Sequence, residues 1–307
     1  MAGERVDRYH DQSVNRERKR IVDAEKLVPV GFREYREIPS YGDKKLRIMA
    51  KYLYAYSTIV SKYFRRFWYL ETGAGPGVCM IRRSSRHVLG TPFLALTNKP
   101  SFTDFRLIEH KPELADALRE RIGAYLPRLD AKKIVRTGDC NVLFGGILDE
   151  IPVYDPFLLF MDSEGLETKW HTVIVPACQR KHVDLLINFP YDDAIHRNLW
   201  RLEQPGSNFE QEVNEFMPPG DWRTCVDDNY SSDSVCNDVL REGFIDLYES
   251  GLRGLGMNYI VTSPPIKNRR NTPVYSFIFA SKNRVAGKIM GEIISKPESS
   301  VQSTLSV

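Results

Sequence analysis

A carboxylate followed by glycine at every second position, Glu71-x-Gly73-x-Gly75-x-Gly77, is the stretch of this chain best suited to hold a ligand. Each glycine permits positive φ or a close backbone approach, so the N–H groups around Gly73, Ala74, Gly75 and Gly77 can face a polar ligand. Further acids stand at the ends of short apolar runs: Glu109, Asp139 (beside Cys140), Asp162 and Glu164. Carboxylates in such places accept hydrogen bonds from sugar hydroxyls or amines, and can take up a proton. Asn188-Phe189-Pro190-Tyr191 adds an amide acceptor and a ring able to stack on a flat base. Asp162 and Glu164 are also oxygen ligands, but two acids at one strand end fall short of a divalent-metal set, and no metal is expected.

These residues need elements to hold them, and hydrophobic patterning supplies the elements. The aromatic run Phe67-Trp68-Tyr69-Leu70 ends in Glu71 as a buried parallel strand ends before a sharp turn. The spacing predicts an amphipathic helix before it, from Lys44 to Lys62. After the glycines, residues 79–90 form a basic insertion (Arg82, Arg83, Arg86, His87), read either as a phosphate grip or as a solvated hairpin. Thr91-Pro92 has the form of a helix N-cap and first position. Phe105–Glu109 reads as the second strand, whose terminal acid would meet both ribose hydroxyls of a nucleoside. A helix over Pro112–Ile122, a short third strand at Lys133–Val135 and a helix over Val142–Ile151 follow. Asp139 between them either meets an adenine amino group or caps that helix. The apolar fourth strand, Phe157–Met161, delivers Asp162 and Glu164 to the ligand end of a parallel sheet. A helix over Lys169–Cys178 leads to the fifth strand, Val183–Ile187.

The latter half predicts helices over Ala194–Leu202 and Glu210–Phe216, and a long one capped by Ser234 and ending near Gly256. Two strands, Asn258–Thr262 and Pro273–Phe279, and a helix over Arg284–Ile294 close the pattern. Three parts are expected: a charged arm and linker over 1–43, one domain over 44–295, and a polar tail over 296–307. The net charge of +3 is too small to imply a nucleic-acid partner by itself. Five scattered cysteines without a C-x-x-C pair argue against a zinc site or disulfide framework and fit a reducing cytoplasm. No stretch is apolar enough to span a bilayer, so no membrane partner is expected.

Five β-α steps and a final strand pair follow the plan of a Rossmann-like, class I methyltransferase. That is an α/β fold whose mostly parallel seven-stranded sheet carries helices on both faces and takes its last strand in antiparallel. The glycine spacing agrees, because a dinucleotide fingerprint would need a glycine at position 78, where Val78 stands. An ordinary glycine-rich turn is the plain alternative. More specifically, Tyr69-Leu70-Glu71 with Gly73-Ala74-Gly75-Pro76-Gly77, Gly90-Thr91-Pro92 with Ala95-Leu96, Asp162-x-Glu164-Gly165-Leu166, and Asp184-Leu185-Leu186-Ile187-Asn188-Phe189-Pro190 together resemble the three-Cys-motif partner family (TcmP). The resemblance runs from about Lys44 to the end of the last strand. Where that family often has Asp before its loop and Asp-Pro-Glu-Gly at the fourth strand, this chain has Glu71 and Ser163.

The resemblance implies S-adenosylmethionine as cofactor, held by Glu71, Gly73, Ala74, Gly75, Gly77, Glu109, Asp139, Cys140 and Asp162. Asp162, Glu164, Asn188 and Tyr191 are the candidate catalytic residues. Methyl transfer from a sulfonium asks the protein mainly to align nucleophile and methyl and to remove a proton. Asn188-Phe189-Pro190-Tyr191 is similar to the N-x-P-Y motif of adenine N6 methyltransferases, though it follows the fifth strand rather than the fourth; a strand end with a proline turn is the plainer reading. The expected acceptor is a nucleic acid or nucleotide. The alternative is a non-catalytic SAM-binding subunit working beside a three-Cys-motif protein.

Overall fold

The computed structural model describes residues 35–39, 42–82, 84–162, 165–229, 237–268 and 270–295. The charged arm, the C-terminal tail, Arg83, Ser163, Glu164 and Ser234 lie outside them. The chain divides into two compact units, residues 1–138 with 288–307, and residues 139–287.

In the first unit, strand β1 (Arg36–Ile38) precedes helix α1 (Gly42–Val60). Strand β2 (Trp68–Thr72) runs into the glycine loop, and strands β3 (Val78–Ile81) and β4 (Arg86–Leu89) follow. Helix α2 (Thr91–Leu96), strand β5 (Asp104–Glu109) and helix α3 (Pro112–Tyr125) come next. Short helix α4 (Ala131–Ile134) and strand β6 (Val135–Thr137) complete it. β5 lies parallel between β2 and β6, with Thr72 opposite Ile108 and Glu109 opposite Thr137. The third strand therefore starts two residues later than predicted. Asp130 caps α4 by accepting from the Lys132 and Lys133 N–H groups, which draws Lys133 and Ile134 into a helical turn.

The basic insertion is a hairpin, β3 antiparallel to β4, and β1 adds to β3 in parallel to make a separate three-stranded sheet. It is not fully solvated: Val78, Val88 and Leu89 are buried at its base, and Arg82 and Arg86 are at its exposed tip. Strand β1 has no counterpart in the sequence reading.

The second unit opens with helix α5 (Cys140–Glu150) and strand β7 (Phe157–Met161). All five β7 residues are buried, as an apolar strand without alternation should be. A wide helical turn (Trp170–Ile174) and helix α6 (Val175–Gln179) replace the single helix expected here. Pro176, at the N1/N2 position, suits the start of α6. Strand β8 (Val183–Phe189) lies parallel to β7 and runs two residues further than predicted. A wide turn (Tyr191–Ile195), a tight helical stretch (His196–Glu203) and helices α7 (Phe209–Phe216), α8 (Trp222–Asn229) and α9 (Asn237–Gly254) follow. The unit ends with strands β9 (Tyr259–Thr262), β10 (Ile266–Lys267) and β11 (Pro273–Ser281), and helix α10 (Arg284–Ser295) crosses the boundary between units.

β11 lies antiparallel between β8 and β9, the placement expected of a last strand. In chain order the first unit's main strands run third, second, first; the second unit's run fourth, fifth, seventh, sixth. This is an α/β fold with mostly parallel strands and a Rossmann-like plan. The two-residue β10, which also pairs with β11 across a bulge, is an addition to the seven strands expected.

Candidate functional site

In the first unit the glycine loop crosses the end of β5. Gly73, Gly75 and Gly77 have φ of 77°, 65° and 79°, so all three use the freedom the spacing suggested. The N–H groups behave otherwise. Those of Gly73 and Ala74 both donate to the Ile108 carbonyl at 2.9 Å, and that of Gly75 donates to Glu109 Oε2 at 2.6 Å. The expectation that these donors face a ligand is therefore corrected. Thr72 sits opposite Ile108 in the parallel ladder, so the turning chain meets the last acceptors of β5 first.

Glu109 is 6% exposed, and its Oε1 accepts from the Lys111 N–H at 2.9 Å. Each carboxylate oxygen offers about two lone-pair sites, so each keeps one after accepting these bonds. Two neighbouring acceptors remaining on one carboxylate suit a vicinal diol. Glu71 is placed differently. It is wholly buried, with Tyr69 donating to Oε2 at 2.9 Å and Thr91 donating to Oε1. Tyr69 lies two residues back and so on the same face of β2. Thr91 is the first residue of α2 rather than its cap, which is Gly90. Glu71 thus ties the strand end to α2 beneath the loop.

Two further contacts fix the loop. Arg121, without exposed surface, donates to the Pro76 carbonyl at 2.6 Å. The Gly77 carbonyl accepts from the Gly90 N–H at 2.9 Å, while a Cβ at Gly77 would stand 2.6 Å from Phe93 Cδ2. Neither Arg121 nor β1 carried a sequence signal. An arginine in an amphipathic helix reads as solvated, and three residues are too few for periodicity.

In the second unit Asp139 caps α5, its side chain accepting from the Asn141 N–H at 2.8 Å, and it is exposed. Of the two readings left open, capping is the one this geometry displays. Cys140 is half-buried beside Thr168, and burial pushes its thiol up to about 11. Asn141, which no pattern singled out, clamps the chain after β7. Its side chain accepts from the Lys169 N–H and the Thr172 hydroxyl, and donates to the Glu167 carbonyl at 2.7 Å.

Asp162 and Asn188 come together. β7 and β8 are parallel with Met161 opposite Ile187, so the next residue of each strand is a neighbour, and Asn188 Nδ2 donates to Asp162 Oδ1 at 3.2 Å. Asp162 is buried and Asn188 is half-buried. Glu164 falls outside the described residues. Tyr191 is 1% exposed, with Phe244 and His196 ring centroids 5.3 and 6.0 Å away and the Arg241 guanidinium 5.8 Å from its centroid. Its ring has no face open for a base, so stacking is not available in this arrangement. Burial first, and the adjacent Asp192 second, raise its hydroxyl well above the ordinary range. The buried Asp192–Arg241 pair beside it, with contacts at 2.7 and 3.0 Å, joins positions 49 residues apart and could not be read from spacing.

Among the described residues no group of His, Cys, Asp and Glu is arranged to hold a metal, and no helix is long and apolar enough to cross a membrane. No protein-family model matches the chain, and no curated protein matches it. Solved structures do show likeness. An O-methyltransferase from Bacillus cereus in complex with SAH aligns at 16% identity and a TM-score of 0.38, covering 75% of this chain and 79% of that one. A Legionella pneumophila protein aligns at 13% identity and a TM-score of 0.42, covering 80% and 89%. A putative O-methyltransferase from Klebsiella pneumoniae aligns at 13% identity and a TM-score of 0.38, covering 88% and 90%. What this chain binds has to be read from its own residues.

Proposed function

We propose that the protein is an S-adenosylmethionine-dependent methyltransferase acting on a nucleic acid or nucleotide. The observation that carries this reading is Glu109, which ends the second strand with one acceptor site left on each carboxylate oxygen, beside a loop of three positive-φ glycines. A ribose diol would donate to those two oxygens. The fingerprint for a pyrophosphate is absent. The loop's first N–H groups are committed to protein acceptors, which suits a cofactor whose central group is a cationic sulfonium rather than an anion.

S-adenosylmethionine, when bound, would supply a sulfonium-activated methyl group for displacement by the acceptor, with Glu109 holding its ribose. In the second unit, Asp162, oriented by the Asn188 amide, is the residue proposed to take up a proton. The motif resemblance to three-Cys-motif partner proteins suggests a protein partner of that kind, and the scattered cysteines without a C-x-x-C pair suit a reducing cytoplasm as the place of action.

The test is calorimetric titration with S-adenosylhomocysteine beside Glu109→Ala, followed by transfer of labelled methyl to nucleic-acid and nucleotide pools. Binding by the intact protein and its loss in Glu109→Ala are expected. Asp162→Asn is expected to lose transfer by a factor of about 10²–10⁴. Absence of binding by the intact protein overturns the reading.

A further inference from the structure

Strand β1 pairs with β3 through the parallel partners Arg36–Cys79 and Ile38–Ile81, and the Ile38 carbonyl accepts from the Arg82 N–H at 2.9 Å. Side chains alternate along a strand, so Arg36 shares the face of the buried Ile38, while Glu37 turns outward to an exposed ion pair with Arg82 at 3.4 Å. That inward face carries Arg36 over the glycine loop. A Cβ built on Gly75 would have a single neighbour within 4 Å, the Arg36 guanidinium nitrogen at 3.9 Å. Gly75 is also the residue whose N–H is bound by Glu109. One glycine therefore separates a half-buried guanidinium from the carboxylate that would hold a ribose. Those two charged groups lie at most roughly 9 Å apart, by covalent geometry through Gly75.

We infer that Arg36 is a binding residue for the carboxylate of an amino-acid moiety joined to a nucleoside, and that the hairpin sheet exists to bring it over the loop. This rests on the methyltransferase reading and names how its cofactor is oriented. A sugar and an amino-acid carboxylate linked through a thioether are separated by a chain of bonds of that order of length. The guanidinium offers five N–H donors in a rigid fork whose geometry matches a carboxylate. The absence of a Cβ at Gly75 keeps the space between the two groups open. The positive φ explains why glycine is tolerated there; the guanidinium in front explains what the open space is for.

The experiment compares two ligands on the full chain. S-adenosylhomocysteine carries the amino-acid carboxylate, and 5′-methylthioadenosine carries the same nucleoside without it. Arg36→Ala is expected to weaken S-adenosylhomocysteine about 10- to 100-fold, as loss of a charge-assisted contact does, and to leave 5′-methylthioadenosine within about twofold. Arg36→Lys, which keeps the charge without the fork, is expected to fall between. Glu109→Ala is expected to weaken both ligands. Equal weakening of both by Arg36→Ala, or no change in either, overturns the role of Arg36 while the cofactor reading stands. An intact protein that binds adenosine diphosphate in an Arg36-dependent way, but not S-adenosylhomocysteine, overturns both, because the anion is then a phosphate. Binding of none of the three also overturns both. Thermal melts of each variant separate loss of the ligand contact from loss of the fold.

Discussion

Gly75 and Gly77 look interchangeable in the sequence, and the structure says they are not. Both have positive φ, so alanine at either suffers the left-handed backbone penalty of ~1–2 kcal/mol. Beyond that they diverge. At Gly75 the new methyl would find one atom within 4 Å, the end of the Arg36 side chain at 3.9 Å, and no clash. At Gly77 it would stand 2.6 Å from Phe93 Cδ2, 2.7 Å from Leu118 Cδ1 and 2.9 Å from Phe93 Cε2. Phe93 and Leu118 have no exposed surface, so neither can swing away into solvent. Overpacking of a closed core adds ~1–3 kcal/mol. Gly77→Ala should therefore cost about 2–5 kcal/mol, and Gly75→Ala about 1–2 kcal/mol.

A chain of this size loses roughly 2 °C of Tm per kcal/mol. Thermal unfolding followed by circular dichroism should show a fall of about 4–10 °C for Gly77→Ala and about 2–4 °C for Gly75→Ala. Ligand titration should rank them the other way for function. Gly75→Ala folds, yet places a methyl in the space between Arg36 and Glu109 and weakens S-adenosylhomocysteine. Equal losses of Tm, or a larger loss for Gly75→Ala, would refute the packing argument. Unchanged affinity in Gly75→Ala would refute the claim that the ligand lies over that residue.

Three further outcomes are expected. Thr91→Val keeps the shape but removes one of two hydroxyl donors from the fully buried Glu71 carboxylate, and should cost about 1–3 kcal/mol in a urea titration; no change would mean Thr91 does not support Glu71. Arg241→Met leaves Asp192 buried without its partner and should cost ~3–5 kcal/mol, whereas adding Asp192→Leu should recover most of that; a double variant no better than the single one contradicts the pairing. The Cys140 thiol ionises at about 11 in the native protein against 9.0 ordinarily, so between those values the unfolded chain has released a proton the native one keeps. Stability is then lost as pH rises through that window, and the urea midpoint of the parent should fall more steeply than that of Cys140→Ala; parallel curves would sink the assignment.

Where burial and periodicity set the outcome, the sequence was sufficient. The run Phe157–Met161 could only be a central strand, and it is buried at every position. Glu71, Glu109 and Asp162 follow such runs, so their places at strand ends were legible from the runs themselves. What each carboxylate touches was not legible, because it depends on partners brought in by other elements. Glu71 meets a hydroxyl 20 residues away and Glu109 an N–H 34 residues away, while Asn188 reaches Asp162 across 26 residues. Tyr191 shows the same limit. Asn-x-Pro-Tyr spacing suggests an exposed ring, but Phe244 and Arg241 arrive from α9 and enclose it. Strand β1 was invisible for a simpler reason: three residues cannot display a period, and only pairing with β3 makes them a strand.

The loop's hydrogen bonds also bear on how recognition can work. In a phosphate-binding loop the backbone N–H groups are the recognition elements, so they must stay unsatisfied until the ligand arrives. Here Gly73, Ala74 and Gly75 donate inward to Ile108 and Glu109, and Arg121 and Gly90 hold the carbonyls of Pro76 and Gly77. Three of the loop's N–H groups and two of its carbonyls are committed within the protein, which holds the loop's shape without a ligand. On the reading proposed above, recognition would pass to the side chains at its rim, Glu109 on one side and the Arg36 guanidinium on the other. A rim of that composition selects a ligand that donates with one part and is anionic at another. On that reading the positive-φ glycines would let such a ligand come close, and the loop's internal hydrogen bonds would hold the two rim groups in place.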